Sequence, residues 1–204
     1  MRGKTHFGIG VMATVILSEN LHFALSLPIL GICALASILP DIDHPQSAIN
    51  KYLLPMKKKE FKIALYVTLG VFLIIFNYFY FDYAYLSATG IFLILIGLST
   101  HRDGITHSLT GLLCFLGVFG SLAVFYGFRN CILPFTIGYL THLLGDMFTS
   151  GGVPLLFPFN NKKYKMPLTF TVGSWIGNLV EGGIITIGLI YLVFQLPIIM
   201  SRMK

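Results

Sequence analysis

The sequence predicts an all-α fold: a polytopic helical transmembrane bundle of six to seven membrane segments, the first of them short. Three observations predict it. Of the 204 residues 55% are hydrophobic, and the mean hydropathy is +0.80. Only 11% are charged, where an ordinary soluble domain carries about 25%. The apolar residues also gather into segments, at about 8–18, 21–39, 62–81, 84–99, 107–128, 131–148 and 173–199. Most of these approach the roughly 20 residues that a bilayer core demands.

The same composition excludes a disordered tail, a collagen and a disulfide-stapled miniprotein. The 14 basic and 8 acidic residues leave a net charge of +6. The cations sit between runs of near-spanning length, so their excess is a topology signal and not a nucleic-acid footprint. Cys33, Cys114 and Cys131 all lie in apolar stretches without CxxC spacing, which indicates neither a disulfide framework nor a thiolate zinc site. Residues 1–18 have the basic start and apolar stretch of a signal peptide. Ser18-Glu19-Asn20-Leu21-His22 is a poor cleavage site, so the N-terminus is expected to stay in the mature protein.

Taken in order, the first segment has eleven or so residues, too few at about 1.5 Å each to cross roughly 30 Å of hydrocarbon. It is expected to be a half-span paired with the second. Threading the spans alternately puts the N-terminus and the loops 41–61, 100–106 and 150–172 on one near face. That face collects Arg2, Lys4, Lys51, Lys57, Lys58, Lys59, Lys62, Arg102, Lys162, Lys163 and Lys165, and the far face only Arg129, Arg202 and Lys204. By the positive-inside rule the near face is cytoplasmic. A seventh crossing would leave Arg202 and Lys204 outside, so six crossings with a re-entrant first segment is the alternative. Gly173 and Gly177 give a GxxxG spacing in the last segment, read as internal packing. No repeat divides the chain, and residues 1–204 are read as a single integral membrane domain.

Ionisable groups near a span are costly and call for a reason. Four clusters stand out: Thr5-His6, Asp41-Ile42-Asp43-His44-Pro45, the run from His101 to Ser108, and His142-Leu143-Leu144-Gly145-Asp146. Each falls at the near-face end of its segment. Five of the 6 histidines and four of the 8 acids thereby gather at one membrane level. His142 and Asp146, at i and i+4, project from one helix face and can hold a single ion. Asp41 and Asp43 flank Ile42 where the chain turns ahead of Pro45. Imidazole with carboxylate and no thiolate suits zinc first, with manganese or iron as alternatives. Taken singly, each cluster has an ordinary reading: His6 as an interfacial side chain, Asp41 as a helix terminator, His142 with Asp146 as a packing pair. Their agreement on one side of the membrane favours metal. His22, at the far-face start of the second segment, reads as interfacial. Thr106 and Ser108 are candidate caps for the fifth segment. Glu181 is an intramembrane acid whose alternatives are a functional role or a hydrogen bond to Asn178 or another helix. The run 148–159, with its glycines, leucines and aromatics, and the basic residues after it read either as a headgroup-zone segment that attracts anionic lipid or as a positive-inside loop.

These residues resemble the YdjM-type family of membrane-bound metal-dependent hydrolases. The resemblance covers nearly the whole chain, through Thr5-His6, LPDIDHP (39–45), HRDGITHS (101–108), HLLGDMFTSGG (142–152) and PLLFPF (154–159). The turn 101–107 is one residue longer than the family's HRGxTHS form, so the resemblance assigns no role to Asp103. A remoter similarity is to the zinc-dependent phospholipase C and single-strand nuclease superfamily, with its HxxxD or HxxxE pairs. The resemblance implies metal-ligand roles for His6, Asp41, Asp43, His44, His101, His107, His142 and Asp146. Eight ligands exceed the four of one zinc, so two or three ions are expected. The expected activity is cleavage of a membrane-lipid phosphoester at the cytoplasmic face of the plasma or inner membrane. Asp41 or Asp43 would orient the attacking water, and Arg102 would stabilise phosphate charge. Competing expectations are a divalent-metal transporter and a non-catalytic lipid-binding or scaffold protein with a structural metal.

Overall fold

A computed structural model describes residues 1–100 and 104–202. Its helices are α1 (Gly3–Asn20), α2 (Leu27–Ala36), α3 (Asn50–Leu53), α4 (Lys59–Tyr80), α5 (Ala84–Leu98), α6 (Leu109–Phe125), α7 (Ile132–Met147) and α8 (Trp175–Arg202). Among the described residues there is no strand, only isolated bridges pairing Thr149 with Phe170 and Val153 with Tyr164. The all-helical expectation holds. Two helices, Lys59–Tyr80 and Trp175–Ser201, are long and apolar enough to cross a membrane, while Leu27–Ala36, Ala84–Leu98 and Leu109–Phe125 are apolar but shorter.

The expectation of a short first segment is corrected. Helix α1 runs for 18 residues, about 27 Å, because the chain is already helical through Thr5 and His6 and stays so through Ser18 to Asn20. A hydropathy reading trims those polar ends, yet Thr5, His6, Thr14 and Ser18 are buried and belong to the packed face. The second segment is instead the short one, with 10 helical residues. Ser26 caps it by accepting from Ile29 N at 3.4 Å, and Pro28 sits in its first turn, where a missing N–H costs nothing. The GxxxG spacing is also corrected: Gly173 precedes α8, in a turn with φ of 84° that suits a residue without Cβ.

The chain divides into two compact units, one of Met1–Leu39, Asn130–Val153 and Lys163–Lys204, the other of Pro40–Arg129 and Pro154–Lys162. In the first, α1 packs against α2, α7 and α8. Thr14 Oγ1 donates to Cys33 Sγ at 2.6 Å and Cys33 Sγ to Gly10 O at 3.1 Å, tying α1 to α2. Val15, Leu25 and Ile199 form a small apolar core with Phe23 and Leu30 against it.

In the second unit α4 and α5 pair closely. A Cβ at Gly70 would stand 2.5 Å from Gly90 O, so only bare backbone permits this approach. Asn77 closes the turn between them, accepting from Tyr83 N at 2.9 Å and donating to Tyr83 O at 3.0 Å and Ser87 Oγ at 2.8 Å. Helix α6 starts at Ser108, whose hydroxyl accepts from Gly111 N at 3.1 Å. Its first turn is pinned by Leu109 N donating to Leu155 O and Thr110 Oγ1 to Phe157 O. Tyr78, Phe79, Tyr80 and Phe81 are exposed at the end of α4, opposite the lysines at its start, an arrangement that suits a membrane interface at each end.

Candidate metal centre

The first unit brings His6 from α1 together with His142 and Asp146 from α7. All three are buried. His6 Nε2 lies 3.2 Å from Asp146 Oδ1 and His142 Nε2 lies 3.7 Å from Asp146 Oδ2. The two imidazoles stack at 3.8 Å between centroids, 17° from parallel. The α-amino group of Met1 also pairs with Asp146. His142 Nδ1 is 2.7 Å from Ser37 O. A carbonyl only accepts, so Nδ1 carries the proton and Nε2 presents its lone pair toward the carboxylate. That is how metal-ligating histidines are oriented. His6 adds a second sign. Neither of its ring nitrogens makes a hydrogen bond of acceptable geometry among the described residues, a costly state for a buried imidazole that a cation between it and Asp146 would relieve.

The second unit brings together Asp41, Asp43 and His107. The aspartates lie on the 3-10 turn Leu39–Asp43 and the histidine on the turn Ile105–His107. His107 Nε2 is 3.5 Å from Asp41 Oδ1 and Nδ1 is 3.8 Å from Asp43 Oδ2. Thr106 sets the polarity of this set. Its hydroxyl has one proton and donates it to Asp43 Oδ2 at 2.6 Å, so toward His107 Nδ1, 3.2 Å away, its oxygen accepts. When the ring is neutral Nδ1 therefore holds the proton and Nε2 carries the lone pair; burial lowers the ring's pKa, but the flanking Asp41 and Asp43 carboxylates outweigh it and raise it to about 9. Asp43 is buried, whereas the Asp41 side chain is 20% exposed.

The first donor set fits a divalent ion. His6, His142 and Asp146 each offer an atom within 4.8 Å of the others. Two nitrogens with one oxygen suit zinc; in the second unit Asp41 and Asp43 face opposite nitrogens of His107, so the ring can share an ion with only one of them at a time. His44 is half-buried, and its Nδ1 accepts from Gln46 N at 3.2 Å, within its own turn. His101, Arg102 and Asp103 lie outside the described residues. His22 is exposed between α1 and α2. Glu181 resolves to the hydrogen-bonded alternative: it accepts from Thr5 Oγ1 at 3.0 Å and Arg2 N at 3.3 Å.

Sequence reasoning missed the residues that hold the turn of Asp41 and Asp43. Asn50 donates to Ile42 O at 2.7 Å and His44 O at 2.8 Å while accepting from Tyr66 Oη at 2.7 Å. Lys62, counted above as a near-face cation, is buried and donates through Nζ to Asp43 O at 3.0 Å, Ile96 O at 3.2 Å and Ser99 O at 2.7 Å. The signal for it was periodic, since Lys62, Tyr66 and Gly70 recur every four residues on the buried face of α4. Thr106 was read as a cap, and it serves Asp43 instead.

The model of one protein family, described as YdjM inner membrane protein, matches residues 1–203. The inner membrane protein YdjM of Escherichia coli K12 is 28% identical over 142 residues, 66% of this chain and 50% of that protein. The protein of the same name from Shigella flexneri is similar to the same extent. The chain spans about half the length of the curated relatives it matches. No solved structure matches it.

Proposed function

The chain belongs to the YdjM inner membrane protein family, and from that premise we propose that it is a multi-pass metal-dependent hydrolase that cleaves a membrane-lipid phosphoester at the cytoplasmic face. The observation that carries this reading is the buried set of His6, His142 and Asp146, in which His6 Nε2 stands 3.2 Å from Asp146 Oδ1 and neither His6 nitrogen makes a hydrogen bond of acceptable geometry among the described residues. Two or three divalent ions, zinc before manganese or iron, are the implied cofactors. Bound there, they would supply a Lewis acid for a phosphoryl oxygen and a water acidified to a pKa of about 7.

The residues divide the work. His6, His142 and Asp146 hold an ion in a closed environment. His107 would hold another through Nε2, with Thr106 fixing the ring's tautomer and one lone pair of Asp43. Asp41, the exposed member, orients the attacking water and takes its proton at a carboxylate oxygen. Arg102 is the sequence's offer for the phosphate charge. Six to seven segments, with the lysine-rich loops inside, give the orientation by the positive-inside rule.

Elemental analysis of purified protein, run beside a headgroup-release assay on mixed phospholipids, tests the proposal. Two or three ions per chain and phosphoester cleavage are expected, both lost in Asp43→Ala. Full metal occupancy in that variant would count against the site. The burial of His6, His142 and Asp146 favours one second reading, a structural metal in a non-catalytic membrane protein. Metal present with no release from any phospholipid would select it.

A further inference from the structure

We propose that the first unit holds one acyl chain of a membrane lipid in an apolar cavity whose lining residues Met1 and Gly145 also adjoin the His6, His142 and Asp146 cluster. The binding stands on the cavity alone, and the hydrolase reading above supplies only the reaction that the bound lipid would undergo.

The cavity measures about 630 Å³, inside the roughly 300–1,000 Å³ of small-molecule sites. Helix α8 lines it with Ile176, Val180 and Ile184, a stripe at i, i+4 and i+8. Ile9 and Met12 of α1 and Leu144 of α7 face it. Polar side chains enter the lining only at Thr141 and Thr169, and the Thr141 hydroxyl already donates to Gly138 O at 2.8 Å. Such a wall offers dispersion and dehydration but nothing for a charge or a sugar, which would enter unpaired. Hydrocarbon is the occupant it suits. The source follows from the lining: α8 is one of the two helices fit to cross a membrane, and the stripe residue Ile176 is 62% exposed, so the cavity opens where lipid tails lie.

Gly145 gives the orientation. A Cβ there would stand 3.2 Å from His6 Cε1 and 3.3 Å from Nδ1, so any side chain would push on the ring. From His6 to Met12 the six helical residues advance about 9 Å, which puts the floor of the cavity at Met12 and Ile184 that far along α1 from the ligands. A tail laid on the α8 stripe therefore leaves the polar end of the lipid at the Gly145 rim.

The test titrates a phosphatidylglycerol bearing a cis-parinaroyl chain onto the full chain in detergent micelles and follows its fluorescence. Saturable binding of one lipid per chain is expected, displaced by the dipalmitoyl lipid. Ile184→Trp, and independently Met12→Trp from the opposite wall, fill the floor and exclude about two methylenes, a loss on the order of tenfold in affinity. The thermal midpoint serves as the check on folding. Ile190→Trp, on α8 outside the lining, should bind as the wild type does. Unchanged affinity in both floor variants, or equal weakening in Ile190→Trp, overturns the proposal. Saturable binding with no headgroup release keeps the cavity and removes the hydrolase reading. Release at equal rates from dioctanoyl and dipalmitoyl lipids, without saturable binding, removes the cavity and keeps the hydrolase.

Discussion

The two candidate ligand sets are built from opposite materials. In the first unit two imidazoles and one carboxylate come from the long helices α1 and α7, and all are buried. In the second, two carboxylates and one imidazole come from 3-10 turns, and Asp41 reaches solvent. Helical positions are held by many backbone hydrogen bonds and suit a fixed, nitrogen-rich cage. Turn positions depend on side-chain braces such as Thr106, Asn50 and Lys62, and leave an oxygen where a water can arrive. Under the proposed function, holding an ion and presenting a reactive oxygen would be separable tasks, assigned to different local structures.

Removing a ligand from the helical set tests that separation most severely. His142→Ala should lower metal affinity by more than the 10–100-fold of a lost outer-shell contact and abolish headgroup release, read by elemental analysis and the assay together. Retained metal would dissolve the contrast. Asp41→Asn should act on rate alone, cutting release by roughly 10²–10⁴-fold while the ion of the first unit stays. A matching loss of that ion would show Asp41 to be structural. Thr106→Val leaves the fold but strips the proton from Asp43 and the acceptor from His107, so metal affinity of the second set should fall about 10–100-fold, with Thr106→Ser restoring it. The smallest effect is expected at Ser108→Ala, which removes the α6 cap at about 1 kcal/mol of stability and moves the thermal midpoint with little change in metal content.

How far the sequence could be read depended on the distance over which each feature is encoded. His142 with Asp146 was legible because helical period alone puts i and i+4 on one face. Asp41 with Asp43 was legible because Pro45 forces a turn beside them. The stacking of His6 on His142 spans the chain from α1 to α7, and no local pattern carries it. The extent of α1 was hidden for a different reason: its polar ends are satisfied by burial against other helices, which hydropathy scores as loop. Thr106 was misread because its hydroxyl is equally suited to a backbone amide and to a carboxylate, and only the fold brings Asp43 within reach.

Lys62 also bears on how the protein finds its orientation. A cation whose ammonium is shared among Asp43 O, Ile96 O and Ser99 O does not meet lipid phosphates once the chain has folded. In the orientation proposed above, the exposed lysines 57, 58 and 59 are then the ones left to meet an anionic leaflet, and neutralising Lys62 should disturb the folded site without disturbing which way the helix points.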